Sequence, residues 1–151
     1  MALTSALCTS FKVELLEGDH DFNNGADAFK VALFKANASI TGTYDATTTN
    51  YSDMTGNSDE LAATGGYSTG GFALTNVNPT STSTTAFTDF SANASWSSAT
   101  FTTRGCLIYN TSDSNSAVAV IDFGADYSVS GGTFEIQWPA ADSTNAIIRI
   151  A

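Results

Sequence analysis

From Phe72 onward the apolar residues arrive in short runs with a period of two, and most of the runs end in Gly, Ser, Asn or Asp. A period of two belongs to a pleated strand, whose successive side chains point to opposite faces; a helix face recurs every three to four residues. Thr133–Trp138 is the clearest case, with Phe134, Ile136 and Trp138 on one face and Glu135 and Gln137 on the other. Phe72–Val77, Thr84–Phe90, Ala94–Trp96, Thr100–Thr103 and Ile147–Ile150 read as further strands, and Gly105–Tyr109 and Ala117–Phe123 are apolar on both faces, as central strands are. The joints at Asn110–Asn115 and Ser130–Gly132 are turn-forming. With Phe29–Lys35 upstream, the pattern predicts a mainly-β domain: an antiparallel β-sandwich or flattened barrel of about eight strands, with one short N-terminal helix. No internal repeat or domain boundary interrupts it, so residues 1–151 read as one domain.

The helix is expected over residues 4–17, where Leu7, Phe11 and Leu15 recur at every fourth position, Leu16 widens the stripe and Gly18 stops it. Residues 36–71 form a long polar, Gly/Thr-rich segment, with Asn50–Met54 and Asp59–Ala62 each able to make one helical turn. A loop of that length in a compact domain tends to be functional. Its part from 41 to 64 is the expected lattice-contact surface, with Tyr44, Tyr51, Asp53, Met54 and Tyr67 as the expected partner-contact side chains. On that reading, excision of residues 44–60 leaves the fold intact.

Charged residues make up only 13% of the chain, so its polar surface must be built from Ser, Thr and Asn, which are about a third of the residues. The net charge is −10, and the five basic residues, Lys12, Lys30, Lys35, Arg104 and Arg149, are scattered. Phosphate neutralisation needs clustered Lys and Arg, so no nucleic-acid partner is expected. Cys8 and Cys106 are too few and too far apart for a disulfide framework and read as buried reduced thiols. The first residues lack the charged and apolar regions of a signal peptide, and no stretch approaches the ~20 apolar residues of a membrane span. Synthesis in a cytoplasm and no membrane partner are the corresponding expectations.

Residues that could do chemistry are few. His20 is the one histidine, and Asp19-His20-Asp21 reads as a solvated or salt-bridged turn rather than a metal site. Asp89, Asp122, Asp126 and Glu135 are candidate paired carboxylates of the kind glycoside hydrolysis uses, but nothing in their spacing makes them converge. Asp53 to Asp59 has oxygens for calcium without the spacing of an EF-hand loop. Gly65–Gly71 lacks the Lys of a phosphate loop and reads as a turn between strands. The three Asn-x-Ser matches at Asn37, Asn93 and Asn110 are expected by chance in such a composition. Trp96 and Trp138, which could stack on sugars, read as core. No enzyme activity and no cofactor are expected.

Several stretches in order resemble a group of small tailed-phage virion proteins. Leu15-Leu16-Glu17-Gly18-Asp19-His20-Asp21-Phe22 is similar to their "LLxGxHDF" helix end, and Asp27-Ala28-Phe29-Lys30-Val31-Ala32-Leu33-Phe34 to the strand that follows. Gly66–Gly71, Ala99–Arg104 before Leu107–Asn110, and Ile121–Trp138 continue the likeness. Residues 36–64 and 78–85 depart from it. The resemblance implies a non-catalytic capsid decoration or cement protein. Such proteins sit, often as homotrimers, on the outer capsid surface and bind the major capsid protein and copies of themselves. A head-fibre, neck or tail role is the alternative it leaves open. Two readings from other classes are a carbohydrate-binding adhesin using Trp96, Tyr67 or Tyr109, and a small hydrolase using Asp122 or Glu135.

Overall fold

The structure, a computed structural model, describes residues 2–151. Among these are eight strands and two α-helices: β1 (Ala6–Leu7), α1 (Thr9–Glu17), β2 (Phe29–Leu33), α2 (Tyr51–Gly56), β3 (Phe72–Ala73), β4 (Thr80–Thr82), β5 (Thr85–Thr88), β6 (Ala94–Asn110), β7 (Ser116–Ile136) and β8 (Ile148–Ile150). They form two antiparallel sheets, one of five strands in the order β1-β7-β6-β2-β3 and one of three in the order β4-β5-β8. The mainly-β, sandwich-like architecture with a short N-terminal helix is the one the strand pattern predicts. No helix among the described residues is long and apolar enough to cross a membrane.

Two strands are far longer than their sequence runs. Ala94–Trp96, Thr100–Thr103 and Gly105–Tyr109 are one 17-residue strand, and Ala117–Phe123 and Thr133–Ile136 belong to one 21-residue strand. Glycine and serine inside them make bulges rather than turns. Gly131 sits at φ 66° as one extra residue of β7 opposite the Ala99/Thr100 step, and its N–H bonds the Thr100 hydroxyl at 2.9 Å. An extra residue in one strand bends and twists the ladder without ending it. The expected joint at Ser130–Gly132 is therefore a kink in a long ribbon. Between the pairs Gly105↔Asp122 and Thr103↔Tyr127, β7 carries the larger excess, so Phe123–Asp126 bows out.

The N-terminal helix begins at Thr9, not at residue 4. Ala6 and Leu7 pair instead with Val120 and Ala119, and Leu3 bridges to Tyr44, because strand pairing satisfies the backbone against an existing sheet edge. Gly18 ends α1 at φ 88°, its N–H bonding Glu14 O, as its sequence position predicts. Of the expected apolar stripe only Phe11 is fully buried; Leu16 is 90% exposed. Cys8, at the start of α1, and Cys106, in β6, are both buried and unpaired. Burial, reinforced by Glu14, pushes the Cys8 thiol up to about 12, so neither thiolate formation nor disulfide exchange is favoured there.

Candidate functional site

Residues 36–71, expected to be a free surface loop, are laid back across the five-stranded sheet and become part of its core. Tyr44, Met54 and Tyr67 are buried, at 1%, 0% and 3% exposure, and cannot be the partner-contact side chains. Tyr44 packs on Phe34 with ring centroids 4.6 Å apart, and Tyr67 donates its hydroxyl proton to Glu60 while accepting the Leu33 N–H. Tyr51 and Asp53 are half-buried and equally occupied. Tyr51 stacks on Tyr109 at 4.4 Å and donates to Glu60 Oε2 at 2.5 Å. Asp53 completes a capping box for α2, its Oδ2 accepting the Thr49 and Asn50 N–H groups. The sequence shows Tyr and Asp in a polar segment; it does not show that the segment's polar groups satisfy one another and so allow its large side chains to be buried.

Two carboxylates organise this segment. Glu60 gathers the Tyr51 and Tyr67 hydroxyls and the Gly70 N–H, and the Tyr109 hydroxyl bonds Gly70 O at 2.8 Å. Burial pushes the Tyr109 hydroxyl up to about 12, and Tyr51 and Tyr67 higher still, so the cluster stays protonated at neutral pH and acts as a set of donors. Asp59 is fully buried and accepts from the Tyr44 hydroxyl at 2.7 Å, Gly42 N–H at 2.8 Å and Thr41 N–H at 3.0 Å. Burial works to raise its proton affinity, but these donors outweigh it and hold the carboxyl below its ordinary value.

Asp59→Ala would strand three buried donors, each worth about 1–3 kcal/mol, so a loss of about 3 kcal/mol in chemical denaturation is expected. The same group sets the acid limb of stability. A carboxyl depressed in the fold contributes stability above its unfolded pKa of about 4 and loses it as pH falls through the lower folded value. Asp122, held down by the Arg104 guanidinium, acts in the same direction. Asp89, raised by burial, acts in the opposite one and gives a little stability back on acidification. Urea midpoints measured from pH 6 to pH 2 should fall in the native chain and fall less steeply in Asp59→Asn, whose side chain does not titrate.

His20 is buried beneath α1, among the rings of Phe11, Phe22 and Phe29. Its Nε2 lies 2.9 Å from Glu14 Oε2, and Asp113 completes a trio with metal-like spacing. The hydrogen bonding does not fit a metal. Asn110 Oδ1 accepts the Ser112 and Asp113 N–H groups, so its Nδ2 must face His20 Nδ1, which therefore accepts. The ring proton is then on Nε2 and donated to Glu14, leaving no lone pair there. Asn110 Nδ2 also bonds Asp27 Oδ2, so this network ties α1, the turn after it, β2 and the β6–β7 hairpin together. Asp19 and Asp21, proposed beside His20, are exposed and outside the trio.

The four carboxylates considered for hydrolysis are each engaged separately. Asp89 is buried and accepts the Phe90 and Ile147 N–H groups, anchoring the C-terminal strand. Asp122 pairs with Arg104, Asp126 accepts the Asn37 N–H, and Glu135 accepts from Asn93 and Gln137. Of the aromatics considered for sugar stacking, Trp96, Tyr67 and Tyr109 are all buried.

What lies open is a groove of about 360 Å³ beside the far half of β7, lined by Ile121, Phe123, Tyr127, Phe134, Ile136, Trp138, Pro139 and Ile147. Tyr127 is 52% exposed, and Phe134, Ile136 and Trp138, expected to face a core, are only half-buried. The alternation identifies the face correctly; whether a second layer covers it is not encoded in the period. Compared with protein-family models, curated proteins and solved structures, the chain has no match.

Proposed function

We propose that this chain is a non-catalytic structural protein of a tailed-phage virion, a capsid decoration or cement protein that binds the outer surface of the major capsid lattice. The observation that carries the reading is how its reactive groups are used. His20, Asp59, Glu60 and Asp89 all hold loops and termini onto the sheets through short hydrogen bonds, while the open surface is an apolar groove beside a long strand. That division suits a rigid adhesive module, which gains from buried apolar area and repeated weak contacts across a lattice. The residues of the phage-like motifs take part in it: Gly18, His20 and Asp27 in the helix-end network, and Gly70 and Gly71 at the Glu60 clamp.

The test is a binding measurement on particles. The purified chain, mixed with capsids stripped of accessory proteins, is expected to co-sediment at a fixed ratio to the major capsid protein and to raise the temperature at which the capsids open. A chain that stays in the supernatant and leaves that temperature unchanged rejects the reading. Selective retention on a glycan array, with loss in Tyr127→Ala, would move the assignment to an adhesin using the groove instead of the buried aromatics.

A further inference from the structure

The far half of β7 has a strand on one side only. β1 reaches β7 at Ala119 and Val120, the Ser5 hydroxyl takes the Asp122 N–H, and beyond that point β6 is the one neighbour in the sheet. From Tyr127 to Ile136 the outer edge therefore carries a row of backbone donors and acceptors with no partner strand among the described residues. Exposed edges are usually shortened, or guarded by Lys, Pro or inward charge. This one runs for ten residues with no Pro and no Lys, its single charge at Glu135 and its single guard the Gly131 bulge. The open groove lies along the same strand, so an unpaired edge and an uncovered apolar surface coincide.

We propose that this edge is where two copies of the chain pair, antiparallel, about a two-fold axis at Ser130. The charge pattern selects that occupant and that direction. With the axis at Ser130, Asp126 faces Phe134 and Glu135 faces Ala125, so no carboxylate meets another. Parallel pairing would stack Asp126 on Asp126 and Glu135 on Glu135, which is unfavourable between chains of net charge −10. Tyr127–Phe134, between those two acids, is uncharged and presents the Tyr127 ring beside the groove. At about 3.3 Å per residue the edge is about 33 Å long, and with the groove alongside it approaches the ~800 Å² per partner of a standard stable pair. The pairing is two-fold, unlike the threefold assembly that the phage resemblance implies, and it does not depend on the virion reading.

Sedimentation of the full chain should show a species of twice the 15.7 kDa monomer mass. Tyr127→Lys, at an exposed position, should weaken association at least tenfold while leaving the circular dichroism unchanged. Ser130→Cys should form a covalent dimer under mild oxidation much faster than Ser52→Cys, an exposed control on α2; the native thiols are buried and do not compete. A monomer at all concentrations, a trimer, or equal cross-linking at positions 130 and 52 overturns the proposal. So does a chain that stays monomeric until capsids recruit it, since the edge would then belong to another protein's strand. Because self-association and capsid binding are read separately, either can fail while the other holds.

Discussion

Excision of residues 44–60 is expected to unfold the protein, the reverse of what the composition of that segment suggests. The cut removes Tyr44 and Met54 from the core and Asp59 from its cage of donors. It also removes the acceptors Ala46 O and Thr49 O, which hold the N–H groups of Thr9 and Ala117, and the Asn50–Ser116 bridge. Deleting a large buried side chain costs about 2–5 kcal/mol, and two of them with the Asp59 network approach about 10 kcal/mol. That is comparable with the whole stability of an ordinary domain, about 5–15 kcal/mol. Far-UV circular dichroism of the shortened chain should show lost strand signal and no cooperative urea transition. A sharp transition with a native-like midpoint would show that the sheets stand without the segment.

Gly71→Ala is expected to cost at least about 4 kcal/mol, while Gly25→Ala costs about 1 kcal/mol. Both glycines have left-handed backbones, at φ 73° and 86°, so both substitutions carry the ordinary penalty for an L side chain there. They differ in what a Cβ would meet. At Gly25 nothing lies within 4 Å, whereas at Gly71 the added carbon would fall 1.9 Å from Val31 O and 2.8 Å from Ala32 Cα. Those are backbone atoms of β2, which cannot move aside without lifting β3 and the Glu60 clamp from the sheet. Urea denaturation of the two variants separates conformation from close approach, and equal costs would refute this account.

The Gly65–Gly71 run shows where reading by type stops. The run is correctly read as a turn before a strand. Why Gly71 cannot be replaced depends on Val31, forty residues away, and no local pattern records that distance. Thr133–Trp138 shows a similar limit: its alternation identifies Phe134 and Ile136 as one face of a strand, yet that face is half-open. His20 is the third case. A lone histidine between two aspartates suggests a solvated turn, and only the meeting of α1 with Asn110 makes it a buried, singly protonated link.

What the sequence alone determines is strand-forming tendency, the glycine that stops α1, the absence of any basic surface and a sandwich-like class, because these follow from residue type and near-neighbour spacing. Tertiary structure alone decides that bulged runs fuse into two long strands and that a polar segment becomes core. It also decides that one strand edge is left unpaired. The reason is physical: burial, hydrogen-bond satisfaction and edge pairing are relations between residues far apart in the chain, so each is set by which groups meet rather than by which groups are present.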